Sequence, residues 1–381
     1  MSHISSDPRV LRQIEWLHDD GWAVDTLGLG ERPQGAREHF SLKPEPSWIS
    51  TRFGTAVIYG LLSHTKKFRL LTAARIPLEL RRIVRNGNYD LVILNDRHFV
   101  PWAVDSKTFG RAETLAHIHL DLHEYFPEKL GRNTLWLRAS APYYEWARAL
   151  IGHERFTSRS TVSSGIALQY ARELGIEPPT VVRNIPEFSE LAPSSTLPET
   201  VRMIHHGITN KRRGLWEIVD AMRLLDDRFV MTFMMMHDDA LLQELKEYAA
   251  DLGDRVLFRQ PVPTAKIAEC INEYDLEIMF FPPTTRNLEW VLPNKLFEAI
   301  QGRLGVVIGE SAMMVEIVSE FGNGAVAPEW TVESLAETLS NLSSTQIEAM
   351  KWASHSAASQ LNASVESTKF RSLVELPSTE S

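Results

Sequence analysis

The chain of 381 residues has a single cysteine, Cys270. One thiol excludes an internal disulfide and any cysteine-based metal framework, and it suits a reducing, cytoplasmic setting. No apolar run approaches the roughly 18 unbroken residues that span a bilayer. The first residues, Met1-Ser-His-Ile-Ser-Ser-Asp7, have neither the basic nor the apolar region of a signal peptide. Positive charge is also in short supply. The net charge is −9, with 24 Lys and Arg against 22 acids over residues 1–190 and 16 against 27 over the remainder. An acidic chain with no basic tract beyond one helix is a poor candidate for general nucleic-acid binding.

At 44% hydrophobic and 23% charged residues, the composition is that of an ordinary soluble globular protein. The length exceeds one usual core, so two domains are expected. Alternating strand and helix patterns place an α/β domain over 1–186 and a second over 201–363, joined by a Pro- and Ser-bearing linker at 187–200. A last helix and tail over 364–381 are expected to cross back to the first domain. Two βα runs of this kind predict two Rossmann-like, doubly wound parallel sheets facing a cleft.

In the first half, Asp7-Pro-Arg-Val-Leu opens an amphipathic helix. Asp7 caps it, Pro8 takes its first position, and Val10, Leu11, Ile14 and Leu17 share a face. Trp22 to Gly28 reads as a strand. A helix followed by a strand implies an earlier strand, yet only Met1 to Ile4 remain for it, so that strand is either rudimentary or upstream. Residues 31–50 read as a loop. Ile58 to Arg85 is helical in character with a break near Pro77. It carries Lys66, Lys67, Arg69, Arg75, Arg81, Arg82 and Arg85 against Glu79 alone. That segment is either a peripheral contact with anionic membrane, through 66–85, or a solvated helix face. Strands at 90–94 and 115–121 end in Asp96 and His98, and in Asp121, His123 and Glu124. Ligands of doubly wound sheets bind outside the carboxyl ends of strands, so these ionisable residues are site candidates.

The second half centres on Asn287-Leu-Glu-Trp-Val-Leu-Pro-Asn-Lys-Leu-Phe-Glu298, which follows the apolar run Leu276 to Phe281. Pro293 is expected at the first position of a helix. Asn294, Lys295 and Glu298 would then share its first turns. Free N–H groups and a lysine attract phosphate, and a carboxylate one turn on accepts hydrogen bonds from sugar hydroxyls. The plain alternative is a capped helix with a surface Lys–Glu pair.

The ordered set of motifs resembles GT-B fold glycosyltransferases of the large retaining family numbered four. The matching pieces are Ser6-Asp-Pro-Arg-Val, Tyr89-Asp-Leu-Val-Ile, Asp121-Leu-His-Glu, Val181-Val-Arg-Asn-Ile-Pro, His206-Gly with Arg213-Gly, and Leu292-Pro-Asn-Lys-Leu-Phe-Glu. They run in the family's order across nearly the whole chain. The resemblance implies a nucleotide-diphosphate-sugar donor on the second domain, at Gly207, Arg212, Arg213, Glu289, Asn294, Lys295 and Glu298. Arg213 would meet the diphosphate and Glu298 the ribose. It implies a saccharide or lipid-linked acceptor on the first domain, near Asp96, His98 and Glu124, with His123 and Asp121 as catalytic candidates. Two departures stand out. Eight residues before Glu298 is Trp290, with Glu289 one place off the family's glutamate. Ile208 also stands where the family often has arginine, leaving Lys211 or Arg212 to supply that charge.

The reading is a hexosyltransferase-type enzyme that builds cell-surface polysaccharide or glycolipid, with retention, at the inner face of the membrane. No cofactor and no metal are expected, since the nucleotide-sugar is a substrate and cations can hold its leaving diphosphate. A nucleotide-sugar epimerase or hydrolase, or a non-catalytic partner subunit of the same fold, are the alternatives.

Overall fold

The computed structural model describes residues 3–45, 47, 58–95, 97–105, 107, 109, 117–125, 135–236 and 239–375. The chain divides into two compact units, Met1–Arg183 with Ser367–Ser381, and Asn184–Glu366.

In the first unit, helix Pro8–Asp19 starts as the sequence requires. Asp7 accepts from the backbone N–H of Arg9 and Val10, and Pro8 needs no partner there. Its inner face buries Val10, Ile14 and Leu17, but also Arg9 and Gln13. Strand β1 (Asp25–Gly28) pairs in parallel with β2 (Glu38–Ser41). β2 lies inside the stretch read above as a loop. Only Phe40 of its four residues is buried, too little alternation to mark a strand. A separate parallel sheet joins β3 (Leu91–Leu94), β4 (His117–Leu122), β5 (Ser158–Thr161) and β6 (Thr180–Val181) in that order. Among the described residues, the earlier strand is a single parallel bridge, His3 to Leu29, followed by a 3-10 turn at Ile4–Ser6. A cavity of ≈ 610 Å³ is lined by both β1 and β3, with Leu17, Trp22 and Leu80 among its apolar walls. From the C-terminal helix Ala363–Val374, Phe370 packs 5.5 Å from Trp16, and the Leu373 carbonyl accepts from Ser158.

The second unit is a continuous six-stranded parallel sheet. Its strands are β7 (Val201–Gly207), β8 (Phe229–Met235), β9 (Val256–Arg259), β10 (Leu276–Met279), β11 (Gly305–Gly309) and β12 (Gly324–Ala327). Their order across the sheet is β12-β11-β10-β7-β8-β9. Successive residues feed opposite faces: Leu276, Ile278 and Phe280 join one core cluster, Met279 and Phe281 the other. Burial on both faces is why these strands read as largely apolar runs rather than alternating ones. The linker lies on this unit rather than free of it. Arg303 donates to the carbonyls of Ser189 and Leu191, and Gln301 accepts from the Ser189 N–H.

The order reverses between β7 and β10, where the chain leaves in opposite directions along the sheet. That is the topological switch point, where the crevice outside the strand ends receives ligands.

Candidate functional site

Two chain segments build the switch point of the second unit. The first leaves β7 at Gly207 and re-enters helix Leu215–Leu224 through Gly214. Gly207 has φ +128°, and a Cβ there would stand 2.9 Å from the Lys295 ammonium. Gly214 has φ +63°, and its Cβ would fall 1.9 Å from the Phe280 carbonyl oxygen. Both positions therefore demand glycine, and both bring backbone against the end of β10 or its following helix. The second segment leaves β10, passes a short helix Arg286–Glu289, and enters helix Asn294–Gln301. Pro293 is the residue before that helix rather than its first residue. Its backbone is extended (φ −77°, ψ 148°), so the helix begins at Asn294. Neither longer helix has a side chain capping its start, so N–H groups there remain open to an anion.

The side chains at this point form two coupled sets. Lys295 is buried, 3.0 Å from His205 Nε2 and 5.4 Å from the centre of the Phe281 ring. His205 Nδ1 donates to the Ile278 carbonyl at 2.7 Å, which fixes its tautomer so that Nε2 accepts from the lysine. Burial and the adjacent Lys295 hold His205 well below the usual histidine range, so it is neutral. Burial, reinforced by Arg213 and opposed by Glu277 and Glu298, brings Lys295 down to about 7. Arg213 is half-buried with its guanidinium 5.4 Å from the centre of the same Phe281 ring. Thr209 Oγ1 is buried without a hydrogen-bond partner.

In the second set, His206 Nδ1 is 2.9 Å from Glu277 Oε2, and its Nε2 is 2.8 Å from Glu298 Oε2. Burial disfavours charge on His206, but Glu277 and Glu298 outweigh it and raise the imidazole to about 9. Lys295 and Glu298 are thus partners of β7 histidines, not a surface pair with one another. The plain reading of the stretch is set aside by their burial.

Other candidates on this unit fall differently. Asn294 accepts from Asn184 at 2.9 Å. Glu289 is exposed and spent on Arg286 at 2.6 Å, three residues away on its own short helix, so it does not join the cluster as a substitute carboxylate. Arg212 is exposed, with its backbone N–H bonded to Asn210. Lys211, the other candidate for the charge missing at Ile208, is exposed and paired with Glu244 at 2.6 Å.

The first unit has its own cluster at the end of β4. Asp121 receives Arg9 through Nε and Nη2, both at 2.6 Å, with Gln13 at 2.6 Å, Ser160 at 2.7 Å and His123 at 3.1 Å. Burial would raise this carboxyl, but Arg9 and His123 hold it well below the usual range. The Asp121 side chain is closed to solvent, whereas that of its partner His123 is 25% exposed. His98 and Glu124 line the same cavity as Asp121 and His123, and Glu124 pairs with Arg97 at 3.4 Å. Asp96 lies outside the described residues.

The basic segment is more committed than its composition suggested. Lys67 is buried on the Tyr59 carbonyl, Arg69 pairs with Asp105, Arg75 donates to Lys43 and Arg85 to Lys107. Lys66, Arg81 and Arg82 remain of the seven.

Sequence reasoning assigned no role to Arg9, Gln13, His205, His206 or Glu277. A signal existed for three of them. Arg9 and Gln13 interrupt an apolar helix face at i and i+4, and Glu277 is the lone acid in an apolar strand.

No protein-family model matches the sequence, and no curated protein matches it. Solved structures do match in fold. Sucrose-phosphate synthase from Thermosynechococcus elongatus superposes with a TM-score of 0.68 at 15% identity, covering 98% of this chain and 96% of that one. A glycosyltransferase from Rickettsia africae gives 0.64 at 12% identity, covering 97% and 94%. The fold is GT-B. S. aureus TarM, whose structure contains UDP, fondaparinux and alpha-GlcNAc-glycerol, gives 0.58 at 10% identity over 77% of this chain; the chain spans 57% of TarM's length. In this GT-B chain the crowded switch point is that of the second unit, and the ≈ 610 Å³ cavity is lined by residues of the first.

Proposed function

We propose that the chain is a glycosyltransferase that moves a sugar from a nucleotide-diphosphate donor to a hydroxyl acceptor. The observation that carries this is the pairing of a cationic pocket with a free carboxylate oxygen at one switch point. Lys295, Arg213 and two uncapped helix starts offer charge for a diphosphate, and Glu298 offers an acceptor for ribose hydroxyls. Gly207 keeps the backbone low enough for the lysine to reach that pocket. The acceptor belongs on the first unit, at the cavity bordered by His98, His123 and Glu124, with Asp121 orienting His123.

The leaving diphosphate gains charge as the glycosidic bond breaks, and preorganised cations stabilise that charge most where water is excluded. Lys295 and Arg213 suit this role without a metal. We expect retention of configuration, in the synthesis of a cell-surface polysaccharide or glycolipid. Peripheral contact with an anionic membrane narrows to Lys66, Arg81 and Arg82 beside the exposed Leu78, and co-sedimentation with anionic vesicles tests it. No helix among the described residues is long and apolar enough to cross a membrane.

A thermal-shift panel of nucleoside diphosphates and their sugars tests the main reading. At least one should stabilise the protein, and Glu298→Ala should abolish the shift. Turnover of that donor should persist in excess chelator; loss restored by manganese would overturn the metal-free part. A donor altered without any acceptor present would favour an epimerase or hydrolase instead.

A further inference from the structure

His206 is the buried titratable group that the donor reading leaves without a role. It stands at the end of β7, between Glu277 on β10 and Glu298 on helix Asn294–Gln301. Its backbone N–H also donates to Glu277 Oε1 at 3.3 Å. Both ring nitrogens face carboxylate oxygens, and an ionised carboxylate only accepts. A neutral imidazole has one N–H and would turn a lone pair toward one of them, so the arrangement is satisfied only by imidazolium. Glu277 is closed to solvent; Lys295 acts on it without a hydrogen bond, and His206 is the cation hydrogen-bonded to it. Without that cation two carboxylates would share one pocket, and one would take up a proton.

We propose that His206 is a positioning residue for donor recognition: it holds Glu298 ionised and turned so that Oε2 is occupied and Oε1 alone is presented to the ribose of a nucleoside diphosphate. Among the described residues Oε1 has no hydrogen-bond partner, and the Glu298 side chain is 12% exposed. This rests on the reading of the switch point as a nucleotide-sugar site. A single free oxygen serves a diol whose neighbouring hydroxyls both reach it, so the 2′-hydroxyl matters. Other charged or titratable groups of the cluster are His205 on β7, which His206 influences, and Lys295 and Arg213, which act on His205, with Lys295 also acting on Glu277 and Glu298. Those cations serve the diphosphate end. The two ends should therefore separate experimentally.

The test is calorimetric titration of the full-length protein with UDP, GDP, their 2′-deoxy forms and inorganic pyrophosphate. His206→Ala should weaken the nucleoside diphosphate that binds by at least tenfold, erase its preference over the 2′-deoxy form, and leave pyrophosphate within about twofold. In the wild type the ratio of nucleoside diphosphate to pyrophosphate affinity should fall as pH passes about 9, where His206 loses its proton. Glu277→Gln, which keeps the shape and removes one negative charge, should move that fall to lower pH. It stands in if His206→Ala does not fold. Equal weakening of pyrophosphate and nucleoside diphosphate, or an unmoved pH profile in Glu277→Gln, would overturn the proposal. If the wild type binds pyrophosphate but neither UDP nor GDP, the free oxygen does not serve ribose and the proposal fails while the anion site stands. If it binds none of the probes, the donor reading itself fails.

Discussion

The Asp121 cluster of the first unit and the His206 cluster of the second use the same parts in opposite proportions. Each places a buried carboxylate and a histidine at the carboxyl end of a parallel strand. In the first, one carboxylate receives five hydrogen bonds, two of them from Arg9, before and alongside His123. The arginine already balances its charge, so His123 is held in place without being needed as the counter-ion. In the second, His206 is hydrogen-bonded to two carboxylates and is driven up to about 9. Two carboxylates on one imidazole, rather than residue type or position, are what make His206 cationic.

The largest expected break in the comparison is Asp121→Asn. It leaves Arg9 buried without its carboxylate, a loss of about 3 to 5 kcal/mol for a broken buried pair, to be read as a fall in the urea midpoint. The Glu289→Ala control should stay within about 0.5 kcal/mol, since that pair with Arg286 is surface-exposed.

Gly207→Ala should act on the second cluster. Its φ of +128° and its 2.9 Å approach to the Lys295 ammonium force either backbone strain or displacement of the lysine. About 1 to 3 kcal/mol of strain is expected, together with weaker pyrophosphate binding in the same calorimetric assay. Unchanged anion affinity would detach Lys295 from the diphosphate role.

The subtlest contrast is in pH. Asp121 has a native value below its ordinary 3.8, so its stabilisation is complete above about pH 4 and is lost as pH falls through the native value. His206 has a native value of about 9 against an ordinary 6.5. Its stabilisation is complete below pH 6.5 and is lost as pH rises through about 9. Lys295, lowered from 10.5 to about 7, opposes this by relieving a cost as pH rises across that interval. The difference between wild type and His206→Gln isolates the histidine. Urea midpoints should converge toward alkaline pH for that pair, and toward acid pH for wild type and Asp121→Asn.

Much of the second unit was legible in the sequence because sheets buried on both faces leave largely apolar runs such as Leu276 to Phe281, broken only by Glu277. Asp7-Pro8 marked the first helix by the chemistry of its cap. What escaped were features set by neighbours distant in sequence. Lys295 was recognised as a cation, but its burial on His205, 90 residues away in the chain, depends on β7 lying beside β10. β2 escaped because only Phe40 is buried in it. In the basic helix region Arg69 is spent on Asp105 and Arg75 and Arg85 on carbonyls, which composition does not display. Glu289 was offered as a replacement carboxylate on spacing alone, and its own-helix partner Arg286 takes it.

The central claim is that the donor belongs to the second unit's switch point. Hydrogen exchange with and without saturating nucleoside diphosphate tests it most directly. Protection should rise over 205–216 and 294–299 and stay unchanged over 117–125. Protection confined to the Asp121 cluster would contradict the account.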